Sequence, residues 1–167
     1  GLDKFQKAQT RPSAKFDGVI SEIEAYNATI SYALFFQYAR QVKTWCDKNN
    51  MPSILYEGWN NQIAKDSIIF LFTSVNLHCY IQSKDMGNSI YEYNYTKSRL
   101  EMYASSMSRL KPTAPPLPIT IIFSDETDFA YTYYEGNKGN WKAPYTAYLN
   151  GFNASQNGAT PLIKSKV

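Results

Sequence analysis

The sequence predicts a mainly α protein: an antiparallel helical bundle with a long N-terminal helix and a C-terminal Pro/Tyr-rich extension containing short β-strands. Three observations predict it. Val19, Ile23, Tyr26, Ile30, Leu34, Tyr38, Val42 and Trp45 recur every three or four residues, the period of one helical face. Two later stretches repeat that spacing after short turns, and short connections favour antiparallel neighbours. At Pro112 the composition then changes, with Pro115, Pro116 and Pro118 leading into a tyrosine-rich tail.

Residues 1–15 read as a basic arm, closed by Arg11-Pro12-Ser13. Lys4, Lys7, Arg11 and Lys15 would share one helical face, although Pro12 opposes a continuous helix. The bundle is expected over residues 16–111. Asp17 is the expected N-cap of its first helix, which would rise roughly 40 Å at about 1.5 Å per residue. Asn49-Asn50-Met51-Pro52 ends it, because Asn tolerates the left-handed cap conformation and Pro cannot continue a helix.

Pro52 can open a second helix with the stripe Leu55, Trp59, Ile63, Phe70, Leu77 and Ile81. Gly58 leaves open a break between a short turn at 53–57 and a main helix at about 59–83. Ser89-Ile90-Tyr91-Glu92 fits a capping box for a third helix, which ends with Arg109 and Lys111 before Pro112. Residues 112–167 form the extension. Pro112 to Pro118 is an extended linker, followed by strands expected at Ile119–Phe123, Phe129–Tyr134 and Tyr145–Leu149.

Composition narrows the functional classes. The chain has 167 residues, enough for one domain. Only 19% are charged, below the usual quarter, while 14 Tyr and 9 Phe supply contact area of the kind enriched at interfaces. An AT-biased genome would produce the same bias, and composition does not choose between the two. The net charge is +3. The arm carries four cations against Asp3 alone, so the whole excess sits there. No stretch reaches the roughly 18 consecutive apolar residues of a membrane span.

The catalytic inventory is thin. His78 is the sole histidine, which excludes His-pair metal chemistry; next to Cys79 in a helix it could not chelate with it, since adjacent residues diverge. Cys46 and Cys79 read as small core hydrophobes. Asp125, Glu126 and Asp128 form an acidic turn without the EF-hand pattern, and Gly136-Asn137-Lys138-Gly139 has hairpin rather than phosphate-loop spacing. Asn27, Asn94 and Asn153 open glycosylation triplets, of which Asn153 lies outside the expected helices. No catalytic residue, metal ligand or cofactor is assigned.

A polyanion surface fits the residues better. Arg40 and Lys43 lie on the polar side of the long helix, with Lys48 near its end and Lys65 in the next helix. Joined to the arm, they could line a groove. The expected phosphate contacts are Lys4, Lys7, Arg11, Lys15, Arg40 and Lys43, acting without base readout.

The segment Pro52-Ser53-Ile54-Leu55-Tyr56-Glu57-Gly58-Trp59, followed by Ile63-Ala64-Lys65, resembles coat proteins of rod-shaped and filamentous archaeal viruses. That resemblance implies a helical arm wrapping double-stranded DNA and a helical bundle forming the outer body of a filament. A second set, Tyr38-Ala39, Val42, Trp45 and Asn49-Asn50-Met51-Pro52 with Phe70 and Phe72, is similar to coat proteins of flexuous plant viruses, although Gln37 stands where that family places an Arg.

The expectation is therefore a non-enzymatic virion coat protein that self-assembles into a helical filament around nucleic acid, with double-stranded DNA favoured. Its partners would be itself or a paralogous coat subunit, with no small-molecule substrate, and its location the virion, assembled in the host cytoplasm. The alternatives are an exported filament or surface subunit without nucleic acid, and a small soluble binding or adaptor domain.

Overall fold

Alternation along short segments, rather than one continuous stripe, organises the middle of the chain. Ser53, Leu55 and Glu57 are buried while Ile54 and Tyr56 are half-exposed, the period of a strand. A computed structural model describes residues 2–11, 15–22, 31–58, 62–78, 89–122, 150 and 163–166. Its elements, in chain order, are α1 (Leu2–Ala8), β1 (Val19–Glu22), α2 (Tyr32–Lys48), β2 (Ser53–Glu57), α3 (Gln62–Leu71), β3 (Ser74–His78), α4 (Ser89–Leu110), β4 (Leu117–Ile122) and β5 (Ile163–Lys166).

The strands form one five-stranded sheet in the order β1-β2-β3-β4-β5, and every pairing is parallel. The fold is α/β, which corrects the expected mainly α antiparallel bundle. Residues 19–22 pair with 53–56 instead of opening a long helix, and the expected second helix is β2, α3 and β3 in succession. Parallel pairing needs a crossover between strands, and α2, α3 and α4 supply three of them.

Register explains the burial. Ser21, Leu55, Val75 and Ile119 lie in one row across four strands, and Glu22, Tyr56, Asn76 and Thr120 in the next. The first row is buried, whereas the second is exposed or half-exposed. Leu55, Val75, Leu77, Leu117, Ile119 and Ile121 join Phe35, Ala39, Ile68, Leu100, Tyr103 and Met107 in a single apolar cluster. The three helices thus cover the same face, as right-handed crossovers require when strand order advances in one direction.

Local chemistry sets the boundaries. Ser31, not Asp17, caps α2: its side chain accepts from the Leu34 amide at 3.3 Å. At the other end Asn49 is the C-cap and Asn50 has φ 55°, the left-handed termination expected for this Asn pair. The Thr73 amide and hydroxyl both donate to the Ser53 carbonyl at 2.8 Å, so the turn after α3 is pinned to the start of β2. Gly18 approaches Pro52 so closely that a Cβ would lie 2.8 Å from its Cγ. There the Val19 amide donates to the Pro52 carbonyl at 3.0 Å and starts the β1–β2 pairing.

The third expected helix is present as α4, and β4 overlaps the strand expected at 119–123. β5 has no counterpart in the sequence expectation. β4 begins inside the stretch expected as an extended linker at Pro112–Pro118, since Leu117 and Pro118 already pair with Ile163 and Lys164 of β5. The strands expected at 129–134 and 145–149, the acidic turn at 125–128, the Gly136–Gly139 turn, Cys79, Asn27 and Asn153 lie outside the described residues.

Candidate functional site

The surface of α2 separates into three arcs. Phe35, Ala39, Val42 and Cys46 are buried, at spacings 4, 3 and 4, and the first two join the apolar cluster on the sheet. Leu34, Tyr38, Gln41 and Trp45 form a second arc; Leu34 is 55% and Tyr38 41% exposed. Arg40, Thr44 and Lys48, all exposed, form a third arc opposite the core. Of the eight residues in the expected stripe, only Val42 is buried on α2. The stripe that sequence reading assigned to the core is mainly the second, outward arc.

α1 lies against this second arc. The Phe5 and Phe16 rings stack at 4.8 Å, and the Gln6 side chain both accepts from the Phe16 amide at 2.9 Å and donates to its carbonyl at 3.3 Å. This fastens the arm to the approach of β1. Between α1 and α2 is an open depression of about 490 Å³, lined by Leu2, Asp3, Lys4, Tyr38, Gln41, Val42 and Trp45. A second depression of about 380 Å³, lined by Arg40, Gln41, Thr44, Trp45 and Lys48, shares Trp45 and Gln41 with the first.

The six expected phosphate contacts divide accordingly. Lys4 and Arg40 line the depressions that meet at Trp45. Lys7 pairs with Asp3 at 2.8 Å, and Lys43 donates to both oxygens of Asp47 at 2.7 and 2.9 Å. The Asp3 pair, hydrogen-bonded and exposed, lowers the Asp3 pKa and raises that of Lys7, so their charges largely cancel. Arg11 and Lys15 are exposed on the segment between α1 and β1. Among the described residues no ion pair is formed by Lys4, Arg11, Lys15, Arg40 or Lys48. Lys48 therefore joins the site more firmly than Lys43 does.

Lys65 leaves it. Its side chain is 0% exposed and its Nζ meets Glu57 Oε1 at 2.8 Å, with Glu57 equally buried. Tyr103 Oη donates to Glu57 Oε2 at 2.5 Å, and Lys65 Nζ sits 5.0 Å from the Tyr103 ring centre. Burial first, then the adjacent carboxylate, pushes the Tyr103 phenol well above its ordinary value. Nearby, Arg99 donates to the His78 carbonyl, and the His78 ring packs edge-on to Tyr56 at 4.1 Å.

His78 is thus the last residue of β3 instead of a mid-helix residue. These groups gather where β2 and β3 end, the edge at which open parallel sheets commonly bind ligands. The Glu57–Lys65–Tyr103 cluster itself is closed to solvent and ties β2 to α3 and α4. A sequence separation of 46 residues between Glu57 and Tyr103 left it invisible to motif reading.

Among the described residues, no three His, Cys, Asp or Glu side chains gather in a way that could hold a metal ion. Within the same residues no helix is long and apolar enough to cross a membrane. No family model, curated protein or solved structure matches this chain.

Proposed function

We propose that the protein binds a nucleic-acid backbone, without reading sequence, through the surface where α1 meets α2. One observation carries this reading: Lys4, Arg40 and Lys48 border two adjoining depressions that share Trp45, on the side of α2 away from the core. Cations outside ion pairs release counterions from phosphates most readily, whereas paired cations must first give up their partners; Lys48 makes no ion pair, although its charge acts on the Asp3 carboxylate. Lys4 and Arg40 remain in the proposed contact set, Lys48 is added, and Arg11 and Lys15 extend it along the adjoining segment.

The wider proposal is a non-enzymatic coat subunit of a nucleoprotein filament. It retains phosphate contact and self-association, but not the helical bundle body that the archaeal coat-protein resemblance implied. Exposed Leu34, Tyr38, Phe70 and Ile20 offer apolar area for neighbouring copies. A filament subunit without nucleic acid would use the same area.

The test is retention of the purified chain on immobilised nucleic acid over a salt gradient, with sedimentation alongside. Expected are binding at low salt, progressive release as salt rises, and weaker retention of an Arg40→Gln/Lys48→Gln variant. A folded, monomeric chain that ignores DNA and RNA at low salt would overturn the coat and polyanion readings together.

A further inference from the structure

The geometry points to a single strand, rather than a duplex, as the nucleic acid held at this surface, with bases stacking at Tyr38 and Trp45 while phosphates follow Arg40 and Lys48. This inference rests on the backbone-binding reading and goes beyond it by naming the form of the ligand.

The arrangement on α2 carries the argument. Tyr38 and Trp45 are seven residues apart, two helical turns, so they lie on one ridge with Gln41 between them. Arg40, Thr44 and Lys48 lie four residues apart on the neighbouring ridge, and span about 12 Å at roughly 1.5 Å per residue. The Thr44 hydroxyl donates to the Arg40 carbonyl at 2.8 Å. The aromatic and cationic rows therefore adjoin at their C-terminal end, where Lys48 lies one turn from Trp45, and diverge toward Tyr38 and Arg40. The two depressions follow these rows and meet at Trp45.

A stacking platform beside a basic track is how proteins hold unpaired nucleotides regardless of sequence. A duplex keeps its bases stacked inside and presents phosphates, so it would leave Tyr38 and the exposed part of Trp45 unused. Asp3 also lies in the first depression, with its charge offset by Lys7 at 2.8 Å. Lys48 also acts on the Asp3 carboxylate, so a phosphate at Lys48 competes with that charge.

Fluorescence titration of the full chain with a short oligothymidylate and with a duplex of equal length, at low salt, tests this. Oligothymidylate is expected to quench tryptophan emission and to bind at least about tenfold more tightly than the duplex. Trp45→Ala should weaken oligothymidylate binding by roughly tenfold or more, the scale of one lost stacking contact. Trp45→Phe should retain most of the affinity.

Arg40→Gln and Lys48→Gln, on the exposed ridge, should weaken both ligands similarly, and circular dichroism checks the fold of every variant. Equal binding of duplex and single strand, indifferent to Trp45→Ala but released by salt, would overturn the single-strand inference and leave backbone binding standing. Failure to bind either ligand would overturn both. If Trp45→Ala fails to fold, loss of the preference for oligothymidylate in Tyr38→Ala becomes the deciding measurement.

Discussion

At Glu57 the chain buries a carboxylate between the ammonium of Lys65 and the phenol of Tyr103. Burying charges is costly, and the mutual attraction of the pair repays that cost only when the remaining polar atoms are satisfied. Removing one partner leaves the other stranded. Glu57→Gln should therefore destabilise by about 3–5 kcal/mol in urea unfolding, and Tyr103→Phe by about 1.5–3 kcal/mol, the range for hydrogen bonds to charged groups.

The Tyr103 shift also has a sign. Its folded value is raised, so the folded state holds the proton more tightly than the unfolded chain. That stability is fully present below the ordinary tyrosine value of about 10 and is lost as pH rises through the raised folded value. Urea midpoints measured from neutral to strongly alkaline pH should fall less steeply for Tyr103→Phe than for the unsubstituted protein. None of this was legible in sequence, where Lys65 read as one more surface cation. Eight residues separate it from Glu57, with the end of a strand and the start of a helix between them.

At the scale of elements, α2 shows how a correct period can lead to the wrong face. Residues 32–48 are helical, as the spacing indicated. Two apolar arcs coexist on that helix, however, and the one built from Leu34, Tyr38 and Trp45 has the larger side chains. Small Ala39, 0% exposed, is the residue that lets α2 approach the sheet. Phe35→Ala should cost about 3–5 kcal/mol, whereas Leu34→Ala should stay within about 0.5 kcal/mol, the range of surface substitutions. The opposite ranking in chemical denaturation would return the core to the Leu34 arc.

Ser31→Ala should cost about 1 kcal/mol through loss of the N-cap. The strands were harder to read. With four to six residues each, they are too short to separate a strand from part of a buried helix by pattern alone. The stripe through Leu55, Ile63, Phe70 and Leu77 connected three elements by coincidence of spacing. The turn at Thr73-Ser74 was the missed signal, since its hydroxyl and amide close back on Ser53.

For the whole molecule, the proposed function makes charge placement more informative than charge total. Lys43→Gln should change nucleic-acid affinity little, because Asp47 already occupies that ammonium. Arg40→Gln should weaken binding across all sequences and reduce the slope of log affinity against log salt by about 1. Equal effects from the two substitutions in salt-titrated binding would show that the ion pair opens freely. By itself, the sequence determined the helical period of 32–48 and 89–110, the Asn-led stop before Pro52, a strand through Ile119–Ile122, the small net charge and the presence of a basic arm. Only the tertiary structure decided that the chain is a parallel α/β sheet, which arc of α2 faces inward, and which lysines keep their charge available. The physical reason is that spacing is a local property. Parallel pairing, the Tyr103–Glu57 bond and the meeting of α1 with Trp45 depend on segments tens of residues apart, whose complementarity exists only once the chain has folded.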